Sequence, residues 1–339
     1  MTGEAMDTVE PPREEPRPDP RSTRPTGWRR WVTRRHIIQV VLLLGVAYVA
    51  VPFIREAASV GDSLRAANWW WYLVAAGAVF GGYVCAFTAL IACAGIRAPL
   101  WEGIKLQLAA SFTGTATPAS VGSLAIAGRY LMKRGSPGAI ATAAVGLQSV
   151  VTFLVHIILL GLFVVVGGRS VNLNISAPSG NLITVVLAIA LVAVGIVLGV
   201  PRLREGAQHL WERRGRAVVE NVAGLFRTPH RLLAAILGAA GGTLSLAIAL
   251  WAVLNAVGGG NHFMIAVFTT MVGATLATAA PTPGGIGAVE AALIGGLTAF
   301  GVEAGDALVA AMGYRIVSTW IPVGLGWFAY RNLERSGAI

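Results

Sequence analysis

Apolar residues run in long blocks along this chain instead of alternating with polar ones. The blocks at 36–54, 69–95, 137–168, 181–200, 232–257 and 307–330 predict membrane-spanning helices, because roughly 20 apolar residues at about 1.5 Å rise cross the hydrocarbon of a bilayer. Two more apolar stretches, 106–128 and 262–300, are broken near their middles by Thr117-Pro118-Ala119-Ser120-Val121-Gly122 and Thr282-Pro283-Gly284-Gly285-Ile286-Gly287. Proline and glycine free backbone N–H and C=O groups that hydrocarbon cannot satisfy, so each break is expected to be buried in protein or to face a wet cavity. The predicted fold is an all-α integral membrane protein of six spans and two re-entrant helical hairpins.

The positions of Lys and Arg give the orientation. With the N-terminus inside and each broken stretch returning to its own side, the inner face collects Arg29, Arg30, Arg34, Arg35, Arg97, Lys105, Arg129, Lys133, Arg134, the seven arginines from Arg202 to Arg231, Arg331 and Arg335. The outer face keeps Arg55, Arg65 and Arg169, with the acids Glu303 and Asp306. Making either broken stretch a simple crossing would put a basic cluster outside, against the positive-inside tendency. Both termini are therefore expected in the cytoplasm.

The two breaks also match each other at an offset of 165 residues, Thr117 to Thr282. Each is preceded by two predicted spans and followed by one, and the first hairpin enters from inside, the second from outside. That is the pattern of an inverted-topology repeat, repeat one over 36–168 and repeat two over 181–330, in which broken helices meet around a substrate site. Residues 28–335 read as one membrane domain. Residues 202–227 read as an amphipathic linker helix on the inner leaflet, its apolar face including Leu210, Trp211 and Leu225.

Composition agrees: 55% of residues are hydrophobic and 12% charged, with a mean hydropathy of +0.68. The first 27 residues depart from this, with six prolines, six acids and four arginines, and read as a disordered cytoplasmic tail. The formal charge of +10 is accounted for by basic loops at the membrane, and no stacked aromatic or basic groove pattern points to nucleic acid. Cys85 and Cys93 lie in one span about 12 Å apart along its axis and read as small packing residues. Trp69-Trp70-Trp71-Tyr72 reads as an interfacial aromatic belt.

Candidate chemistry is confined to a few residues. Glu290 is the only charged residue between 262 and 300, and Arg315 lies inside the last span; ionisable groups there are costly, and the two are expected to pair. The pair reads either as an architectural lock or as a switch in which Arg315 alternates between Glu290 and an anionic headgroup. On the switch reading, Arg315→Ala is expected to abolish translocation and leave folding intact. Arg129, Lys133 and Arg134 follow the first break, Arg129 nearest to it, where a cytoplasmic substrate would enter. Thr113, Thr115, Thr117 and Ser120 either repair the broken backbone or line a polar path. His156 and Gln148 are expected to make helix-to-helix hydrogen bonds.

The run from Pro281 through Glu290, with Gly301-Val302 and Gly313-Tyr314-Arg315-Ile316 downstream, resembles the lysylphosphatidylglycerol synthase transmembrane family, over roughly residues 36 to 332. This family is similar to the lipid-flipping membrane part of the multiple peptide resistance factor and includes stand-alone bacterial proteins. The first copy departs from the pattern, with Ala119-Ser120 where glycines or a polar pair are expected. The chain ends at Ile339 without a soluble aminoacyl-transfer domain, so lysyl transfer is not implied. The resemblance implies a multi-pass protein of the bacterial inner (plasma) membrane.

The expected function is translocation of a membrane lipid or lipid-linked substrate without a cofactor. Substrate contacts are expected from Arg129, Lys133, Arg134, Thr117, Pro118, Thr282, Pro283, Gly284, Gly285, Gly287, Glu290, Tyr314 and Arg315. The expected partners are membrane lipids with anionic headgroups and a separate envelope-biosynthesis enzyme. No HExxH, P-loop, nucleophile elbow or metal-spaced Asp/His cluster occurs in the sequence. A membrane-embedded enzyme or accessory subunit in envelope lipid or glycan assembly is the alternative, and a scaffold the third. A translocator predicts a polar cavity joining Arg129 to Arg315, an enzyme a one-sided pocket, a scaffold dry and packed tips.

Overall fold

The computed structural model describes residues 68–117, 121–167, 219–258, 260, 262–279, 285 and 287–339. Outside them lie the predicted tail, the spans at 36–54 and 181–200, residues 202–218 of the linker helix, half of the first break and most of the second. The described residues form nine helices long enough to label. They are α1 Trp69–Ala94, α2 Leu100–Thr115, α3 Val121–Lys133, α4 Gly138–Gly167, α5 Pro229–Ala256, α6 Phe263–Ala279, α7 Ala288–Ala299, α8 Ala304–Arg315 and α9 Ile321–Arg335. A π-helical turn, Ile316–Trp320, joins α8 to α9, and residues 219–227 form a short helix before α5. Among the described residues, four stretches are long and apolar enough to cross a membrane: Trp69–Ala94, Gly138–Val164, Pro229–Ala256 and Ala304–Arg335. This is a multi-pass membrane protein.

An antiparallel pair, α1 with α5, organises the rest. The Asn68 amide donates to the Ala256 carbonyl at 2.9 Å at one end, and Arg231 donates to the Ala92 carbonyl at 3.0 and 2.9 Å at the other. Glycines let the two backbones approach, as small residues do where no hydrophobic effect drives helices together. A Cβ at Gly238 would stand 2.6 Å from the Cys85 carbonyl oxygen, and one at Gly82 would stand 2.1 Å from Ser245 Oγ. The Arg231 guanidinium also closes the end of α1. Gly95 ends that helix at φ +70°, its N–H on the Ile91 carbonyl, and Arg231 takes up the carbonyls left over.

Helices α2 and α3 form one antiparallel hairpin, with Glu102 beside Tyr130 and Thr113 beside Gly122. Helices α6 and α7 form a second, with the Phe268 and Phe300 rings stacked and Gly296 against Thr269. The first leaves the pair where α1 ends and the second where α5 ends, so the hairpins open at opposite ends of the α1/α5 pair. The core divides accordingly. Ala75, Leu250, Leu254, Leu293, Leu297 and Ala310 pack around the second hairpin, and Phe87, Leu90, Leu106, Tyr130, Leu131 and Leu333 around the first. The last span runs from one core to the other: Ala310 of α8 belongs to the former and Leu333 of α9 to the latter. Lys105 Nζ donates to Asn332 Oδ1 at 2.8 Å and ties the end of α9 to the mouth of the first hairpin.

Candidate functional site

The second hairpin carries the buried charge. Gly285 and Gly287 both adopt the left-handed region, φ +65° and +85°, which side-chain-bearing residues enter only with strain. From Gly287 the chain turns into α7, whose third residue is Glu290. Its carboxylate is used on both oxygens: Oε2 accepts the Gly287 N–H at 2.7 Å, closing the N-terminus of α7, and Oε1 accepts Arg315 Nε at 2.7 Å. Only 13% of the Glu290 side chain and 6% of the Arg315 side chain is exposed, so the pair expected from the sequence forms and is desolvated. Arg315 Nη1 also donates to Thr319 Oγ1 at 3.1 Å.

The local fold of the last span aims this arginine. Arg315 is the last residue of α8 and Thr319 lies within the π-helical turn that follows. Pro322, just inside α9, has no N–H to donate, and a widened turn is one way a helix passes such a residue. Tyr314, 7% exposed, shares a hydrogen bond with Ser318. Neither Thr319 nor the π turn was singled out from the sequence; the only signal there is Ser318-Thr319 ahead of Pro322 in an apolar span.

In the first hairpin, Thr117 repairs backbone. Its Oγ1 donates to the Thr113 carbonyl at 2.9 Å and accepts the Gly122 N–H at 2.8 Å, linking the limb before the break to the limb after it. Thr113 donates to the Ala109 carbonyl at 2.9 Å. Pro118, Ser120, Thr282, Pro283 and Gly284 lie outside the described residues.

The basic residues follow the first break, on α3 and just beyond it. Arg129 falls eight positions into α3, about 12 Å from its start, and is exposed; of the three it is the nearest to the break. Lys133 is exposed as well. Arg134 pairs with Glu102, which also accepts from the Tyr130 hydroxyl at 3.1 Å, so the two limbs are clamped at their base. Glu102 escaped the sequence reading because it sits in a polar loop flank where an acid is unremarkable.

A cavity of about 510 Å³ lies among α1, α2, α3, α4 and the far end of α6. Its polar groups come from Gln107, Ser123, Gln148, Ser149, Thr152, His156 and Thr275. Gln148 Nε2 donates to the Ala86 carbonyl at 3.3 Å and His156 Nε2 lies 3.3 Å from Thr275 Oγ1, so both make the helix-to-helix hydrogen bonds expected of them. The expected cavity joining Arg129 to Arg315 is not this one. Its described lining includes neither arginine, and Arg315 is held on Glu290 of α7.

The family profile described as the lysylphosphatidylglycerol synthase TM region matches residues 37–326. No curated protein matches the chain.

Proposed function

The chain belongs to the lysylphosphatidylglycerol synthase transmembrane family, a membership that places it in lipid handling at a membrane, and from this premise we propose that it translocates a membrane lipid or lipid-linked substrate between leaflets. The observation that carries the reading is the pair of helical hairpins opening at opposite ends of the α1/α5 pair. Their limbs of 16, 13, 17 and 12 residues are about 18 to 26 Å long, short of the roughly 30 Å of hydrocarbon, so each hairpin enters and returns.

Helix, hairpin, helix occurs twice, α1 to α4 and α5 to α9, in opposite directions. This order supports an inverted repeat with re-entrant hairpins and alternating access of the site to the two faces. In the proposed cycle Arg129 and Lys133, at the mouth of the first hairpin, draw an anionic headgroup from the cytoplasmic leaflet. Arg315 exchanges Glu290 for the headgroup phosphate, to which its planar guanidinium is matched. In this proposal the protein works in the bacterial inner membrane with both termini on the cytoplasmic side.

The test is a leaflet-accessibility assay on purified protein in sealed vesicles carrying reporter phospholipids. Protein-dependent exposure of inner-leaflet reporter supports the reading. Rates equal to those of protein-free vesicles across anionic, zwitterionic and glycosylated headgroups would refute it.

A further inference from the structure

We infer that the cavity beside the first hairpin seats the uncharged, hydroxyl-bearing part of a lipid headgroup, a polyol or a sugar. The inference deepens the translocator reading and rests on it for the word headgroup. It begins with α4, a helix apolar enough to span a membrane. Val150, Leu154, Ile158 and Leu162 are exposed along one of its faces, as lipid-facing residues are. Its polar side chains are not scattered. Gln148, Ser149, Thr152 and His156 follow one another at helical spacing along a stripe, and all four line the cavity. A polar stripe on a membrane helix carries a cost that its interior partners must offset, and two hydrogen bonds to α1 and α6 account for only part of it.

The remaining groups define what would fit. Among the described residues, the lining holds no Asp, Glu, Lys or Arg. A phosphate would find no Lys or Arg there and an ammonium no carboxylate, so either would sit in the cavity without a partner of firm opposite charge. What the wall offers is a mixture of donors and acceptors. Ser149 gives its hydroxyl hydrogen to the Val145 carbonyl at 3.0 Å, and its oxygen keeps the capacity to accept. Gln107 and Thr152 make no side-chain hydrogen bond with any described residue, and each can both donate and accept. A hydroxyl also both donates and accepts, whereas a phosphate only accepts and an ammonium only donates. The volume of about 510 Å³ is ample for a glycerol or a hexose.

The test uses two lipids of equal charge, phosphatidylglycerol and phosphatidylpropanol, which differ by two hydroxyls, and an uncharged pair, a glycosyl diacylglycerol and diacylglycerol. Binding is read by native mass spectrometry of the full chain and movement by leaflet accessibility in vesicles. The member richer in hydroxyls in at least one pair is expected to bind about tenfold better than its partner, the effect of two hydrogen bonds. Thr152→Val and Gln107→Leu, which break no hydrogen bond to a described residue, are each expected to lower that preference about threefold, with melting temperature unchanged. A preference in the phosphorylated pair points to a polyol headgroup and one in the uncharged pair to a sugar; either supports the assignment. Equal binding within both pairs, or a preference that survives the double variant, overturns it. Selective binding without movement would leave the chamber standing and refute translocation, so the two failures are distinguishable.

Discussion

Replacing Glu290 by Gln is the most informative single perturbation. The carboxylate accepts two hydrogen bonds from two donors, Gly287 N–H and Arg315 Nε. An amide brings one oxygen and one NH2 group, so one donor then faces another donor. More importantly, the guanidinium loses its counter-charge at a residue 5% exposed. Breaking a buried pair by removing one partner costs about 3–5 kcal/mol, a large share of the roughly 5–15 kcal/mol that holds a protein folded. Arg315→Met should cost a similar amount by stranding the carboxylate. The earlier expectation that Arg315→Ala would leave folding intact therefore gives way, since burial makes the pair structural whatever else it does. The double variant Glu290→Gln/Arg315→Met removes both charges and should recover most of the loss, short of about 1 kcal/mol for the weakened closure of α7 at Gly287. Denaturant unfolding in detergent micelles, followed by circular dichroism, gives the four corners of the cycle. A Glu290→Gln variant within about 0.5 kcal/mol of the parent, or a double variant that loses the sum of the single losses, would refute the reasoning. The stable double variant also separates the pair's two roles: a switch predicts that it does not transport, a lock that it does.

Other expectations follow from single contacts. Gly122→Ala places a Cβ about 2.3 Å from the Thr113 carbonyl oxygen, so the limbs must separate; a loss of about 1–3 kcal/mol is expected in the same unfolding assay. Thr117→Val removes the hydroxyl that accepts the Gly122 N–H and should cost about 1–2 kcal/mol, with Thr117→Ser retaining most of the stability. Arg231→Ala uncaps the Ala92 carbonyl and should lower stability by about 1–2 kcal/mol, with Arg231→Lys recovering only part, because one ammonium replaces a two-pronged donor. Arg134→Gln breaks an ion pair whose side chains are about a third exposed; its cost should stay below about 1 kcal/mol and shrink further in high salt.

Apolar block length made much of the fold legible. The blocks at 69–95, 137–168 and 232–257 correspond to α1, α4 and α5 within a few residues, and the largest difference, at the start of α5, arises because Pro229 is tolerated in a first helical turn. The interruptions at 106–128 and 262–300 were legible because proline and glycine stand inside runs that are otherwise apolar. Glu290 and Arg315 stood out because each is charged within a long apolar run. What depends on packing did not stand out. Arg231 looked like one basic loop residue among seven, and only the antiparallel approach of α5 to α1 puts it on the Ala92 carbonyl. Glu102 becomes a clamp only when the first hairpin closes. The stripe on α4 carried the signal of helical spacing, but what it faces is decided by α2, α3 and α6.

The central claim is that the two hairpins open toward opposite faces of the membrane. Single cysteines at Lys133, beside the mouth of the first hairpin, and at Glu303, beside that of the second, report on it directly, since both positions are exposed. They are placed in a chain with Cys85 and Cys93 replaced by Ala and labelled with a membrane-impermeant maleimide in sealed vesicles of known orientation. Labelling of position 133 only from the cytoplasmic side and of position 303 only from the other is the predicted result. Labelling of both from the same side would contradict the account.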